Sequence, residues 1–194
     1  MTAEQIRSRL KDKVVGIAGC GGLGSNCAVA LARVGIGKLV LADFDRVEEG
    51  NLNRQYFLRE QIGDFKAEAL RDIIHRIDEN ISIETHVVNL DPESIGAFFS
   101  DCDLIVEAFD TDHAKVMIIE TVLDEMPDKY IISGQGLAGY GNNEAIQTRR
   151  HGKLLIVGDG GSPVSDDNPP LGPRVGIVAN MQANLALEVL LNED

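Results

Sequence analysis

The stretch from Val14 to Lys66 constrains this chain more than any other. An apolar run, Val14-Val15-Gly16-Ile17-Ala18, leads into Gly19-Cys20-Gly21-Gly22-Leu23-Gly24-Ser25, after which the residues take up a helical period. The pattern predicts a strand, a glycine turn and a helix N-terminus. Glycines let the backbone turn tightly and approach a ligand, while free amide N–H groups and the helix dipole favour an anion there. Phosphate is the natural guest. A second apolar run, Lys38-Leu39-Val40-Leu41-Ala42, ends in Asp43-Phe44-Asp45, which puts Asp43 where dinucleotide-binding folds hold a ribose hydroxyl and leaves the role of Asp45 open. Gly19, Gly21 and Gly24 also satisfy G-x-G-x-x-G, with Asp43 nineteen residues after the last glycine. That spacing alone suits NAD as well as ATP.

Asn51-Leu52-Asn53-Arg54-Gln55 follows, with Lys66 eleven residues beyond Gln55. Two cations and two amides are thereby brought to one nucleotide site, the parts for moving phosphate rather than hydride. Asn51 and Gln55 hold either phosphate or metal-bound water, or else tie down their own loop. In these residues the chain resembles the ubiquitin-activating superfamily, in its bacterial ThiF/MoeB/HesA branch. The matching pieces are Gly19-x-Gly21-Gly22-Leu23-Gly24-Ser25, Asp43-Phe44-Asp45, Asn51-x-x-Arg54-Gln55, Lys66 and, later, Asp110, and the resemblance runs from Val14 to Leu191.

The resemblance implies that the glycine loop, with Asp43, Asp45, Asn51 and Gln55, binds ATP, that Arg54 and Lys66 contact its phosphates, and that Asp110 holds Mg²⁺. A carboxylate suits a hard, oxygen-seeking ion, although an Asp after a strand can also cap the next helix, as Asp112 can. The implied activity is adenylylation of the C-terminal glycine of a ubiquitin-like sulfur carrier, most like ThiS of thiamine biosynthesis, by a homodimer. Departures from the family pattern also carry expectations. The usual Asn after the magnesium-site aspartate is Thr111 here, and no Cys-x-x-Cys pair exists, so no zinc is expected. The segment 158–173, equivalent to the crossover loop that carries an acceptor cysteine in many relatives, has no cysteine for thioester or persulfide transfer. MoeB-like relatives have a further N-terminal segment whose arginine reaches the partner subunit's ATP site; Arg7 and Arg9 are the candidates to replace it.

The rest of the chain reads as a βαβ alternation, which implies parallel strands with right-handed crossovers. The expected fold is α/β, a Rossmann-like doubly wound and mostly parallel sheet with an antiparallel C-terminal hairpin, in one domain over residues 1–194. Thr2-Ala3-Glu4-Gln5 fits a capping box for a helix over 3–10. Lys66 opens a helix whose Leu70, Ile73, Ile74 and Ile77 face inward and whose His75 faces solvent. Pro92 starts another helix. Strands are expected at 81–87, 104–106 and 130–133, then a hairpin at 144–149 and 154–157 turning at His151-Gly152. The segment 158–173 reads as a mobile surface loop, and a helix over 174–191 closes the chain with Val178, Met181, Leu185 and Val189 in one buried stripe.

Charge bears on partners. At −13, the chain repels a nucleic-acid backbone, and its basic run Arg149-Arg150-His151-Gly152-Lys153 reads as a solvated hairpin tip, so no nucleic acid is expected. No apolar run long enough for a bilayer and no signal-peptide pattern are evident, so a cytoplasmic location without membrane contact is expected. Cys20 and Cys27 have no neighbours in sequence that would generate a thiolate, and read as small packing residues.

Overall fold

The computed structural model describes residues 1–192. In chain order the elements are α1 (Ala3–Leu10), β1 (Val14–Ala18), α2 (Gly22–Val34), β2 (Lys38–Ala42), α3 (Lys66–Ile77), β3 (Ser82–His86), α4 (Pro92–Phe99) and β4 (Leu104–Glu107). They continue with α5 (Asp112–Glu125), β5 (Tyr130–Gly134), β6 (Gln147–His151), β7 (Leu154–Gly158) and α6 (Gly172–Asn192). The seven strands lie in the order β3-β2-β1-β4-β5-β7-β6, all pairs parallel except β6 with β7. This is the expected doubly wound sheet. The strand order reverses between β1 and β4, which run parallel, and this is the switch point where such sheets open a crevice at the carboxyl ends of their strands.

The two faces are covered unequally. Val15, Ile17, Leu39, Leu41, Leu104, Val106 and Ile132 point toward the face of α1, α2, α3 and α6, while Ala18, Val40, Ile105 and Ile131 point toward α4 and α5. The period of two in a strand makes this alternation. Gly16 is needed because a Cβ there would lie 2.6 Å from the wholly buried Phe99 ring. Enclosing a side chain such as Phe99 contributes about 1.5–3 kcal/mol.

Local signals set the helix ends. Thr2 and Gln5 form the reciprocal capping box, Asp91 caps α4 ahead of Pro92, and Gly35 ends α2 in the left-handed region at φ 90°. Thr111, not Asp110 or Asp112, caps α5. His75 is exposed, as expected.

The C-terminal third differs from the expectation in detail. The hairpin's first strand begins at Gln147, not 144, because Asn142 in the left-handed region (φ 49°) diverts the chain into a 3-10 turn at Asn143–Ala145. Its tip is not simply solvated, since Arg150 pairs with Glu188 and Lys153 lies 3.9 Å over the Tyr130 ring. The last helix starts two residues early, at Gly172, and Met181 in its stripe is only half-buried. At 21 residues α6 is long and apolar enough to cross a membrane by length and composition; half of it is buried in this fold, against α2, β4, β5 and β7. The segment read as a mobile loop is tied down. Asp159 accepts hydrogen bonds from Gly161, Ser162 and the buried guanidinium of Arg174 (2.5 Å), and Gly139 donates to Pro169.

Candidate functional site

The glycine loop lies at the carboxyl end of β1, beside the switch point. Gly19 needs its positive φ of 90°, and a Cβ on it would meet the Ala108 carbonyl oxygen at 2.9 Å. At Gly24 a Cβ would lie 1.8 Å from the Gly19 carbonyl oxygen. Strand and helix are thus joined by a turn that only hydrogen side chains permit. The N-cap, Gly21, makes no side-chain cap, and the first turn of α2 holds no acid. Its free N–H groups and the positive end of its dipole are available to an anion.

Ser25 and Asn26, at the end of that first turn and the start of the next, deliver the next segment to the loop. The Ser25 hydroxyl donates to the Gly21 carbonyl and accepts from the Tyr56 amide (2.9 Å), while the Asn26 amide donates to the Gly22 and Arg54 carbonyls (2.7 and 2.9 Å). Arg54 therefore lies with its stem over Gly22, and Gln55 is buried over Gly21. The Arg54 guanidinium donates to the Gly50 carbonyl (3.1 Å) and the Asn53 carboxamide (2.8 Å). The Gln55 Oε1 is buried without a hydrogen-bond partner. Such an orphan is costly; a ribose hydroxyl or metal-bound water would supply the donor, and a half-turn of the amide would instead offer its NH₂ to phosphate.

Lys66 arrives from the other side. The segment 45–66 closes on itself: Val47 donates to Asp64, Gly63 to Val47 and Lys66 to the Asp45 carbonyl, with the Arg46 guanidinium 3.7 Å from the Phe65 ring centre. Two 3-10 turns, Glu49–Asn51 and Arg59–Gln61, shape the segment. Lys66 occupies the first turn of α3, where the dipole disfavours a cation. Its ammonium is nearly enclosed and donates to the Asp45 carboxylate at 2.6 Å. Asn51 turns inward on its own loop, accepting from the Glu48 amide at 3.0 Å.

Asp43 is buried, and its two carboxylate oxygens accept from the Cys20 amide (2.6 Å) and the Asp45 amide (2.7 Å). Burial pushes its carboxyl above the ordinary value, against the pull of those amides and of Lys66. The same burial, with Asp43 adding to it, drives the Cys20 thiol well up, and burial takes Cys27 to about 12. Both stay protonated, which agrees with packing roles. Asp110, exposed just beyond β4, makes no side-chain hydrogen bond or ion pair among the described residues.

Among those residues no three His, Cys, Asp or Glu side chains converge as metal ligands. Mg²⁺ does not need such a cluster, because it keeps waters and takes phosphate oxygens beside one or two carboxylates. One uncommitted carboxylate across the switch point from an uncapped glycine loop fits that demand. A cleft of about 410 Å³ between α4 and α5, lined by Pro92, His113, Met117 and Glu125 among others, shares none of the residues above. Arg7 is committed elsewhere, paired with Asp78 and packed over Gly35.

Sequence reasoning missed a second constellation. Glu107, fully buried at the end of β4, is joined by Lys115 of α5 and Ser133 of β5, and Gln182 of α6 donates to the Glu107 and Ile132 carbonyls. An acid ending the otherwise apolar strand Leu104-Ile105-Val106 was the available signal, since a charge enclosed on both faces requires partners.

Sheet order and glycine loop together define a Rossmann-like α/β protein with an uncapped helix N-terminus at its switch point. The sequence model of the ThiF family matches residues 2–194, and the chain belongs to that family. Among curated relatives, ubiquitin-like modifier-activating enzyme 5 of Drosophila ananassae is 45% identical over 82 residues, 42% of this chain and 21% of its own length. The Caenorhabditis elegans protein of the same name is 43% identical over 82 residues, 42% of this chain and 20% of its own length. The chain thus matches about a fifth of those relatives. Among solved structures, E. coli tRNA N6-threonylcarbamoyladenosine dehydratase (TcdA) in complex with ATP superposes with a TM-score of 0.86 at 21% identity, over 97% of this chain and 89% of that one. E. coli MccB with ATP gives 0.73 at 23% identity, over 95% and 57%. Both show the same fold.

Proposed function

We propose that this chain is an ATP- and Mg²⁺-dependent adenylyltransferase acting on the C-terminal glycine carboxylate of a ubiquitin-like protein, specifically a ThiS-like sulfur carrier, and that it works as a cytoplasmic homodimer. Membership of the ThiF family, relatives named as ubiquitin-like modifier-activating enzymes, and neighbours crystallised with ATP support the reading. The observation that carries it is the meeting at one uncapped glycine loop of an orphaned Gln55 oxygen, the Arg54 stem and, through Asp45 and Asp43, the enclosed Lys66 ammonium.

The chemistry asks little of the protein beyond alignment and charge neutralisation. The carrier's carboxylate, already ionised at neutral pH, attacks the α-phosphorus; a carboxyl–phosphate anhydride forms and pyrophosphate leaves with the electron pair of the broken P–O bond. No protein nucleophile takes part, consistent with three protonated, buried thiols. The N–H groups of the glycine loop hold phosphate oxygens, Asp43 holds the ribose, and Lys66 exchanges Asp45 for a phosphate as charge accumulates. Arg54 swings from Gly50 and Asn53 toward the same anion. Asp110 would hold Mg²⁺, which when bound would supply charge neutralisation to the phosphates.

The test is carrier-dependent exchange of labelled pyrophosphate into ATP. No exchange with any ubiquitin-like carrier would sink the assignment. TcdA, whose chain is matched over 89% of its length, suggests a second reading, a tRNA-modifying dehydratase. The net charge of −13 opposes it, and a gel shift with tRNA separates the two.

A further inference from the structure

Glu107 sits at the end of β4, where the strand order reverses, three residues before Asp110, and none of its surface reaches solvent. Its Oε1 accepts from the Phe109 amide (2.6 Å) and from the Lys115 ammonium (3.0 Å); its Oε2 accepts from the Ser133 hydroxyl (2.5 Å) and again from Lys115 (3.0 Å). Lys115 also donates to the Gly134 carbonyl (2.9 Å). An ammonium has three protons, and three acceptors take them. The cluster is closed, so Lys115 has no donor left for a phosphate.

What the cluster holds is backbone. Glu107 and Ser133 are register partners on β4 and β5, Lys115 ties both to α5, and Gln182 fastens the Glu107 and Ile132 carbonyls to α6. The hydrogen bond to the Phe109 amide folds the chain back just before Asp110. That turn is seated on the glycine loop, because a Cβ on Gly19 would lie 2.9 Å from the Ala108 carbonyl oxygen and 3.3 Å from the Phe109 ring. A buried ion pair gains little stability over packed apolar side chains, whereas it can specify one geometry.

We propose that Glu107 is a positioning residue which, held by Lys115 and Ser133, fixes the Phe109 amide and so presents Asp110 to the metal at the glycine loop. This rests on the reading of Asp110 as the Mg²⁺ ligand. Partners bonded directly to a metal ligand change metal affinity by about 10–100-fold when removed; Glu107 acts one step further out, through the Phe109 amide, so the lower end of that range is expected.

Two double variants test it, both without net charge in the cluster. Glu107→Met with Lys115→Met leaves the Phe109 amide without an acceptor; Glu107→Gln with Lys115→Met keeps one. Metal affinity is read by Mn²⁺ titration in the presence of ATP, and the Phe109 amide by hydrogen exchange. The doubly apolar variant is expected to lose protection at Phe109 and to weaken metal binding about tenfold, with metal-free ATP binding unchanged, while the Gln variant restores both. Unchanged metal affinity in the apolar variant overturns the proposal, as does a Gln variant as weak as the apolar one. Should the apolar variant not fold, Ser133→Ala, which removes one bond to the carboxylate, must weaken metal binding in the same direction or the proposal falls. Asp110→Ala distinguishes the two levels. If it loses metal binding while the apolar pair keeps it, Glu107 alone is wrong; if Asp110→Ala leaves metal binding intact, the reading beneath is wrong as well.

Discussion

Two lysine–carboxylate pairs flank β1, and they are built for opposite ends. Beyond β2, Lys66 is enclosed but its partner Asp45 is 46% exposed, and a single 2.6 Å bond joins them. At the end of β4, Glu107 is wholly enclosed, Lys115 nearly so, and every donor and acceptor of the pair is used. Water can take over from Asp45 if Lys66 turns to another anion, so that pair can open at small cost. Nothing can take over from Glu107. The first pair is a contact that can be exchanged, the second a fixture.

The comparison breaks most sharply under single substitutions. Glu107→Ala leaves the Lys115 charge buried and unpaired, and unfolding by urea should show a loss of about 3–5 kcal/mol, most of it recovered by adding Lys115→Met. An equal loss in Lys66→Met would erase the distinction. Lys66→Met should instead lower pyrophosphate exchange by about 10²-fold, the usual effect of removing one donor to transition-state charge, while the urea midpoint moves little.

A third ion pair, Asp159 with Arg174, sharpens the picture through pH. Burial pushes the Asp159 carboxyl up, but hydrogen bonds from Ser162, Gly161 and Arg174 outweigh it and bring it from 3.8 down to about 2. A depressed value in the folded state means stability present above the ordinary value and lost as pH falls from about 4 to about 2. Urea midpoints of the parent chain should drop across that window, and Asp159→Asn should flatten the drop. The smallest effect is expected at Arg7, which is 55% exposed and paired with Asp78. Arg7→Ala should cost less than about 1 kcal/mol and leave exchange unaltered; a large fall in exchange would show that this arginine serves a nucleotide after all.

What was legible in the sequence follows distance along the chain. The strand, glycine turn and helix at 14–34 declare themselves because the turn's tightest constraint, Gly24 against the Gly19 carbonyl, lies within the motif, and the caps at Thr2 and Gly35 and the start at Pro92 are equally local. Among the candidate ligands, the structure brings Asp43, Asp45 and Lys66 together, seats Arg54 and Gln55 on the glycine loop, and turns Asn51 away into its own 3-10 turn. Glu107 and Ser133, by contrast, become neighbours only through the register of β4 on β5, and Lys115 only through the packing of α5. Likewise, the polar composition of 158–173 suggested a loose loop, while the residues that fasten it, Arg149 and Arg174, lie outside the glycine- and serine-rich run or at its far side. Periodicity cannot announce a partner supplied by another element.

The near contact between Gly24 and the Gly19 carbonyl has a consequence for selectivity. With no slack between the end of β1 and the start of α2, the turn is a die whose shape is set when the sheet forms, before any guest arrives. On the proposed function, accommodation must come from torsions of the incoming nucleotide, so bulk placed beside its phosphates would be rejected by collision rather than by weaker attraction.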